Sequence, residues 1–195
     1  MSQKRTFRAL LNRINPSKIG KYSTDSYKWF NSFIKGVQLK RNDVMRSKNF
    51  ERVSKPVIGG MYSFVYDAKH KDTLPYFDAF PLIMMVGPAQ GGFYGINFHY
   101  LPVTLRAKLF DNIMDIANNR KFDDTTKVKV TYSMLNSMSK MRYFKPCFKH
   151  YLYSQVGSKL IKIEPKDWRT AMFMPTQNFV GANAKTVWKD SRNYV

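Results

Sequence analysis

Residues 82–100, LIMMVGPAQGGFYGINFHY, contain two apolar runs separated by a glycine-rich break. Residues 82–86 are apolar throughout, and the run is short enough to indicate a buried strand. Residues 87–92 are typical of a tight turn, and the alternating run 93–100 predicts a second strand. The stretch therefore predicts an antiparallel hairpin at the centre of the fold.

The neighbouring segments extend this hairpin into a meander. Residues 61–66 alternate well enough to predict a preceding strand, and residues 67–72 form a polar turn. Pro102 suits the first turn of a helix whose apolar stripe runs from Leu105 to Ala117. We predict an antiparallel meander, curled into a small barrel and covered by this helix.

Both ends of the chain add shorter elements. Phe7, Leu10, Leu11 and Ile14 recur at helical spacing among basic residues, which predicts a basic amphipathic helix. Residues 160–163 predict a strand, Pro165 opens a helix, and residues 182–194 form a docked helix or an ordered arm.

The predicted fold class is α+β: a small antiparallel β-barrel or meander covered by helices, with a basic helical N-terminal segment. We predict three parts: a basic helical segment at 1–55, the meander with its covering helix at 56–124, and a basic mixed segment at 125–195 packed on the same core.

The charge of the chain is large and unevenly distributed. Its 33 Lys and Arg residues outnumber 13 Asp and Glu residues, for a net charge of +20. Residues 1–55 hold 14 basic and 3 acidic side chains, residues 56–124 hold 6 and 7, and residues 125–195 hold 13 and 3. Two basic segments around a neutral middle indicate a polyanionic partner, foremost nucleic acid, with an acidic protein surface as the alternative.

The candidate phosphate contacts are the basic residues of these two clusters. They are Lys4, Arg5, Arg8, Arg13, Lys18, Lys21, Lys40, Arg41 and Arg46 in the first, and Lys140, Arg142, Lys145, Lys149, Lys159 and Lys162 in the second. Aromatic residues of the central strands could stack on nucleic-acid bases, but burial in the hydrophobic core is the favoured interpretation.

Several other classes of protein are disfavoured. No apolar run approaches the ~18 residues that span a bilayer, so we predict a soluble chain without a membrane partner. Cys147 is the sole cysteine, the three histidines lie far apart, and the glycine-rich break lacks the Lys-Ser/Thr of a phosphate loop. We predict no metal, cofactor or disulfide.

A metal-dependent nuclease is the sharpest enzymatic hypothesis. Asp67-Ala68-Lys69 and Glu164-Pro165-Lys166 fit an acid-x-Lys pattern in which carboxylates hold Mg²⁺. The pattern arises readily by chance in so basic a chain, and a two-metal site needs more convergent acids. We therefore predict no enzymatic activity.

Five strings give the chain a family resemblance: GMYSFVYDAK (60–69), LPYFDAFPL (74–82), GFYGINFHYLP (92–102), YFKPC (143–147) and VWKDSR (187–192). Over residues 55–195 the chain resembles the DNA end protector proteins of T-even-like contractile-tailed phages. The resemblance implies a virion protein that binds the ends of the packaged linear genome and shields them from host exonuclease.

Two functional hypotheses follow. The first is sequence-nonspecific binding of double-stranded DNA, most readily at genome ends, in the virion and in the host cytoplasm during assembly and after injection. The second is a structural connector of the neck or baseplate that docks in a protein ring. The expected protein partners are other virion components of the portal, neck or baseplate.

Overall fold

The computed structural model describes residues 50–103 and 144–190, together with residues 105, 106, 109, 110, 121, 123, 133 and 137. Its strands are β1 (Arg52–Val53), β2 (Met61–Ser63), β3 (Phe77–Asp78), β4 (Leu82–Ala89), β5 (Gly92–Asn97), β6 (Phe148–Leu152), β7 (Leu160–Ile163) and β8 (Phe179–Val180). The α-helices whose two ends are both described are α1 (Trp168–Phe173) and α2 (Ala184–Asp190). Single 3₁₀ turns occupy Phe98–Tyr100, Lys145–Cys147, Tyr153–Gln155 and Pro165–Asp167.

Six of these strands form one antiparallel sheet in the order β1-β7-β2-β4-β5-β6, and β3 pairs with β8 in a second, two-stranded sheet. The predicted hairpin is confirmed as β4–β5, with Met84 opposite Ile96. Gly91, at φ +69°, forms the tight turn between the two strands. The register shifts between Met85 and Gly87, which leaves Val86 as the extra residue of a β-bulge.

The sheet is apolar on both faces, which explains the near-continuous apolar sequence of β4. One face carries Met61, Met84 and Ile96 and packs against Met172 and Val187 of the two helices. The opposite face carries a second cluster in which aromatic rings meet edge to face or stacked; its buried members are Tyr62, Phe64, Ile83, Met85, Phe93, Tyr151 and Leu160.

The structure corrects the predicted barrel. Among the described strands, β1 and β6 each have one strand neighbour, so the sheet is open in this part of the chain. The α+β class is confirmed, and a strand at 160–163 and a helix from Pro165 onwards form as predicted. The predicted basic amphipathic helix lies outside the described residues. Residues 50–55, the end of the predicted helical segment 1–55, are described and contain strand β1 instead, because Arg52 and Val53 pair with β7.

Strand limits also differ from those predicted, for local reasons. β5 ends at Asn97 because the Asn97 side chain accepts a hydrogen bond from the backbone N of His99 at 2.9 Å and caps a 3₁₀ turn. β2 ends at Ser63, and Tyr66 forms an isolated bridge with Val156. β4 runs on through Ala89, which shortens the predicted turn to two residues.

The covering helix is seen in part. Residues 103, 105, 106, 109 and 110 are helical, and Leu109 and Phe110 are buried in the core. The rest of the predicted stripe lies outside the described residues. Within the part of the chain described here, no helix is both long and apolar enough to cross a membrane.

We expect Gly92→Ala to destabilise the protein. An added Cβ at this position would collide with the backbone carbonyl oxygen of Tyr151 on β6, and backbone atoms cannot rotate away as a side chain can. Overpacking of this kind lowers the free energy of unfolding by about 1–3 kcal/mol. Urea denaturation measures the change. The exposed neighbour Gln90→Ala serves as the control and should stay within about 0.5 kcal/mol of wild type; equal stability of the two variants would contradict this account of the β5–β6 contact.

Candidate nucleic-acid interface

A buried carboxylate organises the end of the central hairpin. Asp78 is 3% exposed and accepts four hydrogen bonds. Its Oδ1 accepts from the backbone N of Phe80 at 3.1 Å and of Asn178 at 3.2 Å. Its Oδ2 accepts from Asn97 Nδ2 at 3.1 Å and from His99 Nδ1 at 2.7 Å. The carboxylate thus joins β3, the β5 terminus and the segment that precedes β8.

The partners of His99 fix one of its two ring nitrogens. Nδ1 faces the carboxylate at 2.7 Å and donates to it, and Nε2 lies 3.3 Å from the Thr176 hydroxyl, which donates to it when the ring is neutral. Burial lowers the pKa of His99, against the opposing charge of Asp78. Burial alone would raise the pKa of Asp78, but His99, Asn97 and the backbone donors together hold it below its ordinary value. Because Asp78, Asn97 and His99 are all buried, their hydrogen bonds stabilise the backbone and do not face a substrate.

A buried guanidinium fixes the next turn. Arg106 is 1% exposed, and its Nε donates to the Leu101 carbonyl at 2.7 Å. Its remaining nitrogens donate to His99 O at 3.3 Å and Met172 O at 3.4 Å. Trp188 Nε1 of α2 also donates to His99 O at 2.8 Å. The 3₁₀ turn after β5 is thereby tied to both helices, and Arg106 is a structural cation, not a surface one.

The sequence-predicted contacts divide into two groups. Four are described by the structure: Lys145 and Lys149 lie at β6, and Lys159 and Lys162 lie at β7. Strands β2, β4 and β5 separate these two positions in the sheet, so the four do not form one compact cluster. The others lie outside the described residues: Lys4, Arg5, Arg8, Arg13, Lys18, Lys21, Lys40, Arg41, Arg46, Lys140 and Arg142.

The four described lysines differ in their surroundings. Lys145 and Lys159 are exposed. Lys149 is half-buried, with its Nζ 4.0 Å from the centroid of the Tyr100 ring, and burial lowers its pKa. Lys162 Nζ lies 2.6 Å from Glu51 Oε2 and 3.6 Å from Glu164 Oε1. Of the four, Lys145 and Lys159 are therefore the more accessible to a phosphate group.

The aromatic residues of the central strands are mostly core, as predicted. Phe64, Phe93 and Phe98 are fully buried, whereas Tyr94 is 36% exposed. The Tyr94 ring stacks on Phe148, with centroids 5.1 Å apart and planes at 19°, and lies beside exposed His150. These three rings form an accessible aromatic surface on β5 and β6.

Other predicted reactive groups have structural surroundings. Cys147 is buried in a 3₁₀ turn, and burial raises the pKa of its thiol to about 12. Of the acid-x-Lys carboxylates, Asp67 pairs with Lys71 at 2.8 Å and Glu164 lies beside Lys162. In residues 50–103 and 144–190 and the few described between them, no three His, Cys, Asp or Glu side chains form a group that could hold a metal ion.

Sequence reasoning missed the buried polar network. In the sequence alone Asp78 has no assigned role and His99 counts only as one of three histidines that lie far apart, because residues 21 positions apart give no joint pattern. One local signal was available: an Asn two residues before His99 favours a turn in which the Asn side chain accepts a backbone hydrogen bond.

The chain matches the family model described as phage T4 terminal DNA protecting protein over residues 5–191. Because this match spans nearly the whole chain, the chain belongs to that family, and the resemblance to DNA end protectors is confirmed. The family description makes DNA the expected partner. No curated protein and no solved structure matches the chain.

We expect acid to destabilise the fold between about pH 6.5 and pH 5. The folded protein holds His99 neutral because burial lowers its pKa, whereas the unfolded chain protonates it near the ordinary value of about 6.5. Stabilisation is therefore fully present above about pH 6.5 and falls by up to about 1.4 kcal/mol per pH unit below it. Chemical denaturation at constant ionic strength measures this slope.

The other two histidines provide the control for this pH dependence. His70 and His150 are exposed, so the variant His70→Gln/His150→Gln should keep the same decline. A free energy of unfolding that stays level or rises from pH 6.5 to pH 5 would contradict a neutral, buried His99.

Proposed function

We propose that this protein binds double-stranded DNA at the ends of the packaged linear phage genome and protects those ends from host exonuclease by steric occlusion. The observation that carries the proposal is the match to a terminal DNA protecting family over residues 5–191. The net charge of +20 supports it, because each phosphate neutralised by Lys or Arg releases condensed counterions.

The binding is proposed to be independent of sequence. Contacts to phosphate position a protein on DNA without distinguishing base pairs, and the excess positive charge of this chain comes from lysines and arginines in both terminal parts of the sequence. An occluding protein needs no chemical step: while bound, it denies a nuclease access to the end. We therefore propose a non-enzymatic DNA-binding protein.

The three parts of the chain are proposed to act together. The basic segments 1–55 and 125–195 supply phosphate contacts on either side of the neutral part 56–124, which carries the central hairpin. The fifteen candidate lysines and arginines remain proposed contacts, with Lys145 and Lys159 the foremost of those described because both are exposed. The protein is proposed to reside in the virion, beside portal, neck or baseplate components, and in the host cytoplasm.

Protection of linear DNA tests this function. With purified full-length protein present, linear duplex should survive a double-strand exonuclease at low salt and be degraded when salt is raised, because phosphate contacts weaken steeply with ionic strength. Intact length on a gel is the measurement, and a closed circular competitor of the same sequence reports the preference for ends.

The closed circular competitor distinguishes end protection from general DNA binding. Protection abolished equally by linear and closed circular competitor would indicate general DNA binding. Absence of DNA binding at low salt would contradict the proposal and favour the structural connector of the neck or baseplate. Cleavage of the DNA by the protein alone would revive the nuclease hypothesis.

Single lysine variants test the division between exposed and paired cations. Lys145→Gln should reduce the slope of log affinity against log salt by about 1, the expected value for one lost phosphate contact. Lys162→Gln should reduce it less, because its Nζ already lies 2.6 Å from Glu51 and 3.6 Å from Glu164. The two variants remove the same charge and serve as mutual controls; equal slopes would contradict the distinction.

A further inference from the structure

The loop between β1 and β2 presents two apolar side chains to solvent. Val57 is 63% exposed and Ile58 is 48% exposed, the two highest values among the large hydrophobic residues that the structure describes. They are adjacent and follow Pro56, which is buried. The two branched side chains together form a small apolar patch at the tip of this loop.

This loop is held rigidly on the sheet. Val57 N donates to the buried Tyr62 hydroxyl at 3.1 Å, and Gly60 N donates to Val57 O at 3.0 Å. Gly59 N donates to Met85 O at 2.8 Å, and Met85 N donates to Gly60 O at 2.9 Å, so the loop base is fixed to the bulged strand β4. Gly59 adopts φ +79°, which favours glycine. A fixed apolar tip loses little conformational entropy when it meets a partner.

An exposed cation lies close to the tip in the sequence. Lys55 is exposed two residues before Val57, and residues 52–66 contain no Asp or Glu. The preceding acidic residue, Glu51, is paired with Lys162 at 2.6 Å. An apolar tip next to a lysine matches a surface that is apolar at its centre and anionic at its margin. The end of a DNA duplex has this pattern, since the outer face of the last base pair is uncovered and phosphates surround it.

We propose that Val57 and Ile58 cover the exposed face of the terminal base pair of duplex DNA, with Lys55 directed to the nearest phosphate. This inference rests on the proposed function and gives it a source of preference for ends. Proteins that bend DNA insert apolar wedges such as Ile, Leu or Pro between base pairs at a cost in unstacking. At a duplex end the outer face is already unstacked, so that cost is absent.

The size of the patch favours a base pair over a protein partner. Stable protein interfaces bury about 800 Å² per partner, far more than two branched side chains supply. One or two wedge side chains suffice to cover a base step.

Binding to a blunt duplex and to the same duplex closed at both ends by hairpin loops tests the proposal. The loops cover the terminal base pairs while leaving the phosphates of the duplex in place. Full-length wild type should bind the blunt duplex more tightly in fluorescence anisotropy at fixed salt. The variant Val57→Ser/Ile58→Ser should lose this preference by about tenfold or more, from the lost burial of two apolar side chains, with unchanged affinity for the closed duplex.

A matched control removes two other exposed apolar side chains without changing charge. Leu74 is 43% exposed and Val180 is 45% exposed, and both lie outside the β1–β2 loop. The variant Leu74→Ser/Val180→Ser should keep the wild-type preference. Thermal unfolding of both variants establishes that they fold.

Each alternative outcome is distinct. If the double variant keeps the preference for blunt ends, the loop tip is not the end-covering element, while the proposed function stands. If wild type binds both duplexes equally, end recognition fails and this proposal fails with it. If light scattering shows a wild-type dimer that Val57→Ser/Ile58→Ser converts to a monomer, the tip is a self-association surface and the proposal is overturned.

Discussion

The carboxylate of Asp78 is the point at which the separate parts of the described fold are joined. It accepts hydrogen bonds from residues on both sides of the central hairpin, and the most distant donor, Asn178, lies 100 positions away in sequence. A buried charge is tolerated only where donors surround it, and removal of its partners leaves a large desolvation penalty. The four donors therefore must be in place together, which makes the end of β5, the strand pair β3–β8 and the segment leading to α2 one cooperative unit.

Two apolar clusters offset the mutual repulsion of charges in so basic a chain. A net charge of +20 opposes compaction, and the described sheet buries one apolar cluster on each of its faces. Among the described residues, the buried Arg106 donates to backbone carbonyls, and the half-buried Lys149 lies over the face of Tyr100. The solvated lysines are then left on the outside, where DNA phosphates can neutralise them.

Much of this architecture could be predicted from the sequence because its signals are local. The apolar run of β4, the glycine turn and the proline before α1 each specify an element over a few residues. The predicted closed barrel was wrong because local alternation cannot reveal which strands lie at the open edges of a sheet. The Asp78–His99 contact was missed because it joins two residues whose individual patterns are unremarkable. The basic clusters were evident from composition, but the division of the four described lysines between β6 and β7, with Lys162 paired to Glu51, depends on strand order that composition does not encode.

Charge alone does not account for recognition of a DNA end. Phosphates are equally available along an internal duplex, so a protein that relies on lysines and arginines gains the same counterion release at every position. A preference for ends requires contact with something that only an end exposes, and the uncovered face of the last base pair is such a feature. The apolar tip at Val57 and Ile58 is suited to that face because it is small, is fixed to the sheet by backbone hydrogen bonds and follows the exposed Lys55. In this view the basic segments supply affinity, while the loop fixed to β4 supplies the distinction between a terminus and the rest of the duplex.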